Sequence, residues 1–97
     1  MDYEFDSFLN IVKHLDLDDV IASANARYKQ LQKGWGKPNK KDALILSDKI
    51  QAMIDLLKTG KRPEHVTDFD LQKLKPVCEN LVAKKQIPPE VLKIFEK

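Results

Sequence analysis

The stretch NKKDALILSDKIQAMIDLLKTG, residues 39–60, decides how the rest of the chain is read. Ala43, Leu46, Ile50, Met53 and Leu57 recur at steps of three and four, which puts them on one stripe of an α-helix, and Ile54 widens that stripe. Ile45, Ala52 and Leu56 form a second apolar face, while Asp48, Gln51, Asp55 and Lys58 keep a polar edge. A helix apolar on two sides is expected at the centre of a fold, covered by its neighbours. Asn39 is placed to cap its start, with Asp42 at the third helical position, and Thr59-Gly60 ends it, so the spacing predicts a helix over about residues 40–58.

Upstream the apolar period is again that of a helix. Phe5, Phe8, Leu9, Val12 and Leu15 share a stripe on a first predicted helix over about residues 3–14, with Tyr3 and Ile11 off it. Asp16 reads as an N-cap, with Asp19 three residues on and Leu15 and Val20 at the spacing of a hydrophobic staple. A second helix over about 17–33 carries Leu17, Val20, Ile21, Ala24, Tyr28 and Leu31, holds Lys29 and Lys33 near the negative end of its dipole, and stops at Gly34.

Downstream, residues 61–65 read as a connector. Thr67 caps a fourth helix with Asp70 at the box position, and Leu71, Leu74, Cys78, Leu81 and Val82 make its stripe. Pro76 falls inside it, where the missing N–H and the ring's clash with the preceding turn force a kink or break near Lys75. Pro88-Pro89 opens a short last helix with Val91, Leu92, Ile94 and Phe95. The expectation is an all-α fold: a small single-domain bundle of four to five helices spanning residues 1–97, the fourth helix kinked or broken near Pro76.

Composition narrows the function classes. A chain of 97 residues that is 42% hydrophobic and 33% charged is ordinary for a folded domain and unlike a disordered one. No run of 18 apolar residues is present, so no membrane partnership is expected. The acidic start, Asp2, Glu4 and Asp6, is unlike a basic export signal, and one cysteine makes no internal disulfide, which together suggest a cytoplasmic setting. The net charge of +2 hides an asymmetry: residues 1–19 carry one Lys against six acids, whereas residues 27–62 carry ten Lys or Arg against three Asp. Residues 63–72 add three acids and no base.

Catalytic and metal-binding patterns are not evident. His14, His65 and Cys78 lie far apart, with neither CxxC nor HExxH among them. Asp16-Leu17-Asp18-Asp19 lacks the Gly and the Glu of a calcium loop, having Ile21 and Arg27 at those positions. Cys78 sits on an apolar stripe, as a small buried hydrophobe would. No enzyme activity, no cofactor and no small-molecule substrate are expected.

One loop stands apart. Gly34-Trp35-Gly36-Lys37-Pro38-Asn39 holds the only Trp, and Lys40 and Lys41 follow it into the first turn of the central helix. Cations there oppose the helix dipole by ~0.3–1 kcal/mol, and a locally unfavourable choice is where function is sought. Trp35, Lys37, Lys40 and Lys41, extended by Lys33, Arg27, Lys61 and Arg62, form the candidate partner- or nucleic-acid-binding set. Two readings follow. One is a small interaction or regulatory module that binds another protein through a charged or apolar helix face, which the off-stripe residues Tyr3, Ile11 and Leu44 favour. The other is a nucleic-acid-binding protein that uses the Trp35 loop and its flanking bases, whose affinity would fall steeply with salt.

Overall fold

The architecture follows from how each helix ends. In a computed structural model, which describes residues 3–33, 40–64 and 66–96, five α-helices appear in the order α1 Tyr3–Val12, α2 Leu17–Gln32, α3 Lys40–Thr59, α4 Asp68–Lys73 and α5 Lys75–Ala83. A 3-10 segment, Pro89–Phe95, closes the chain, and no strand occurs among the described residues. The all-α expectation therefore holds. The last element differs from the predicted helix only in its tighter winding, as suits a short stretch entered through two prolines.

Helix α3 stops where Gly60 turns to φ +72°, a left-handed conformation that suits glycine, with the Gly60 N–H bonded to the Leu56 carbonyl at 2.8 Å. Thr67 caps α4 as expected: its Oγ1 accepts the Asp70 N–H at 3.1 Å. The predicted break near Lys75 falls at Leu74, where the N–H takes the Leu71 carbonyl three residues back instead of continuing the helix, and α5 restarts with Pro76 in its first turn.

Asp16 departs from expectation. Its backbone has the extended geometry of an N-cap, but its side chain caps nothing. Instead Asp16 Oδ1 receives the Lys84 ammonium at 3.1 Å, and the Leu17 N–H that a cap would leave open is taken by Gln86 Oε1. Asn80 and Lys84 donate to the carbonyls of Leu15 and His14, both at 2.9 Å. Three side chains from the end of α5 thus satisfy the backbone groups stranded at the α1–α2 corner. Their placement depends on the turn after α5. The Gln86 N–H bonds the Leu81 carbonyl and the Lys85 N–H the Val82 carbonyl, both at 2.9 Å, a Schellman closure with Lys85 in the left-handed region at φ 61°.

The core is continuous. Phe5, Leu9 and Val12 of α1 and Val20, Ala24 and Leu31 of α2 belong to one buried cluster, and both helices pack on α3. The predicted α3 stripe is buried throughout, from Ala43 through Leu46, Ile50 and Met53 to Leu57. Leu71, Leu74, Val77, Cys78 and Leu81, with Ile87, Val91 and Phe95, complete it. The α2–α3 contact is the most extensive in the fold. The radius of gyration, 12.9 Å, is close to the ~12.5 Å that compact packing of this length gives. No described helix is long and apolar enough to cross a membrane.

The corner is testable by substitution. Lys85→Gly relieves a left-handed side chain and is expected to raise stability by about 0.5–1 kcal/mol, whereas Asn80→Ala orphans the Leu15 carbonyl and is expected to cost ~1–2 kcal/mol. Urea midpoints at unchanged m-value check both signs.

Candidate functional site

The described members of the set proposed from sequence do not gather at one point. Trp35 and Lys37 lie outside the described residues, and Lys40 opens α3. Lys33, at the end of α2, and Lys41, in the first turn of α3, are exposed. Arg27 is half-buried and bonds Gln30 Oε1 at 3.2 Å. Lys61 and Arg62 follow the opposite end of α3, which with 20 residues is about 30 Å long. Arg62 is engaged there: it pairs with Asp68 at 2.7 Å and donates to the Val66 carbonyl, holding the connector to the start of α4. Among the described bases, Lys41 thus lies at the start of α3 and Lys61 and Arg62 follow its end, while Arg27 is partway along α2 and Lys33 at that helix's end.

Nucleophilic chemistry finds no support in Cys78. The thiol is wholly buried, and burial, followed by the neighbouring charge of Glu79, pushes its pKa from 9.0 up to about 12. It is a packing residue in a protonated state. Among the described residues no group of three or more His, Cys, Asp or Glu is placed to hold a metal ion.

What the structure does assemble lies on the second apolar face of α3. That face was expected to be covered, and it is covered only in part. Leu56 is fully buried, but Ile45 is 45% exposed and Ala52 half-exposed. Along this stripe the sequence alternates apolar and acidic, Ile45, Asp48, Ala52 and Asp55, at steps of three, four and three. Glu64, Val66 and Asp70 lie across from this stripe. Between them opens a groove of about 590 Å³, whose apolar lining is Ile45, Ala52 and Val66.

Four carboxylates border this groove, those of Asp48, Asp55, Glu64 and Asp70, against one ammonium, Lys49. Lys49 is committed: its Nζ lies 3.5 Å from Asp70 Oδ1 and 5.7 Å from the centre of the buried Phe5 ring. Asp70 Oδ1 is buried and accepts no hydrogen bond, so that ammonium is its electrostatic partner. Asp55 takes a hydrogen bond from Gln51 at 2.9 Å, the i,i+4 pair that fixes the outer rim. The groove thus combines apolar and acidic lining, with Asp48 and Asp55 drawn from the most basic part of the sequence and Glu64 and Asp70 from the acidic stretch that follows it.

Sequence reasoning named the apolar members of this face but not the acids as a site. The signal was the seven-residue repeat of both rows, 45 with 52 and 48 with 55, masked by a regional excess of Lys and Arg. Other exposed apolar side chains are Ile11, Leu44 and Phe69, the last with Lys73 Nζ 4.6 Å from its ring centre. Comparison with protein-family models, curated proteins and solved structures returns no match for this chain.

The Cys78 thiol is expected to be inert to thiol reagents at pH 8 until the protein unfolds. Because its folded pKa is raised, the unfolded chain releases this proton first, so Cys78 lowers stability progressively from about pH 9 to about pH 12. Replacing it with Val or Ala flattens that part of the stability profile.

Proposed function

We propose that this chain is a non-enzymatic interaction module that receives another protein in the groove along α3. The observation that carries the reading is the open stretch from Ile45 to Ala52. A helix with apolar residues on two faces gains by burying both, and here the second face ends in solvent beside a shaped cavity of about 590 Å³. A partner that covers it removes apolar surface from water at ~25 cal/mol per Å². The fold supports such a role. Ile45 and Ala52 stand on a 20-residue helix whose opposite stripe is locked in the core, so the surface is presented rigidly and little ordering is needed on binding.

The groove has two walls of different origin, α3 on one side and the connector into α4 on the other. Arg62, through Asp68 and the Val66 carbonyl, fixes the second wall.

A photo-crosslinking residue at position 45, expressed in the native host, is expected to give a discrete protein adduct that one at Glu90 does not. Ile45 is nearly half-exposed, so Ile45→Lys is expected to cost under about 1 kcal/mol of stability yet abolish an adduct formed from position 48. Absence of any adduct from positions 45 and 48, or the same adducts from position 90, overturns the reading.

A further inference from the structure

We propose that the occupant of this groove is a cationic amphipathic helix of a partner protein, two to three turns long, with aliphatic side chains on the face that meets α3. The inference rests on the reading of the groove as a docking surface and adds the chemistry of what docks.

Charge sets the first part. The groove is lined by the carboxylates of Asp48, Asp55, Glu64 and Asp70 and by one ammonium, Lys49, which pairs with Asp70 at 3.5 Å and leaves Asp48 and Asp55 as the exposed acids of the α3 wall. An acidic segment or a nucleic acid brought here meets like charge, whereas Lys or Arg side chains meet opposite charge at the edge while their stems lie along apolar surface. Asp48 and Asp55 stand seven residues apart on α3, about 10 Å along its axis, so a facing helix meets them with bases one heptad apart.

Backbone chemistry sets the second part. The groove is walled by side chains, and no strand edge occurs among the described residues. An extended peptide would find no ladder of backbone partners and would bury its own N–H and C=O groups unpaired. A helix satisfies them internally. Ile45 to Asp55 spans ten residues, about 15 Å, which two to three turns of a docked helix match. The small side chain at Ala52 lies midway, where it gives the occupant room for its largest aliphatic anchor.

The test selects a random 16-residue display library on the full chain, with counter-selection on Ala52→Arg, whose side chain fills the groove. Circular dichroism checks that Ala52→Arg folds; Ile45→Lys, at a more exposed position, replaces it if it does not. The expected peptides are Ala52→Arg-sensitive, place Lys or Arg three and four residues from aliphatic positions, and become helical on binding. Synthesised singly, they are expected to bind Asp48→Asn/Asp55→Asn about two- to thirtyfold more weakly, with a shallower salt dependence. Groove-dependent peptides that are neutral or acidic, or that bind the double variant unchanged, overturn this inference and leave the docking surface standing. Peptides indifferent to both groove variants overturn the two together. A dimer of the chain that either groove variant disperses makes a second copy the occupant and overturns the inference as well.

Discussion

Helix α3 carries apolar side chains on two faces, and the other elements of this 97-residue chain cover one of them completely and the second only toward its C-terminal end. That imbalance shapes the molecule. The stripe from Ala43 to Leu57 is buried in the core to which α1 and α2 also contribute. The second face takes Leu56 inward and leaves Ile45 and Ala52 beside the connector. A short chain buries a smaller fraction of its surface than a long one, and here part of that deficit falls on the second face of α3, with Ile11 of α1 and Phe69 of α4 exposed elsewhere.

The remaining elements are held by polar devices that exploit helix ends. The α1–α2 corner strands backbone groups, and Asn80, Lys84 and Gln86 reach them from the end of α5. Lys85 accepts a left-handed conformation so that the chain reverses in time for Gln86 to do so. Across the molecule, Lys73 pairs with Asp6 at 3.1 Å and Lys49 with Asp70 at 3.5 Å, tying α1 to α4 and α3 to α4. The acidic head and the basic middle and tail of the sequence are thus partly reconciled within the fold, while the groove retains its acidic lining.

Most of the architecture was legible in the sequence because its signals are local. Steps of three and four placed the helices, Gly60 ended α3, Thr67 capped α4, and Pro76 broke the helix it entered. The side-chain role of Asp16 was not legible, since an N-cap residue is recognised by type and position whereas its actual partner, Lys84, lies 68 residues away. At the site, the apolar half could be read from Ile45 and Ala52, but their exposure could not, because periodicity identifies a face and not what covers it. The acids were obscured for a simpler reason: Asp48 and Asp55 belong to the most basic third of the chain, and Glu64 and Asp70 join them only in three dimensions.

The account stands on the second face of α3 being open to solvent in the free protein. Methyl resonances of Ile45 and Ile50, five residues apart on one helix with 45% and 0% exposure, report on it directly when a neutral soluble nitroxide is titrated in. Strong broadening at Ile45, comparable to that at the exposed Ile11, with Ile50 left sharp, is the expected result. Equal protection of Ile45 and Ile50 would mean that the chain closes this face by itself, and the groove with everything built on it would be contradicted.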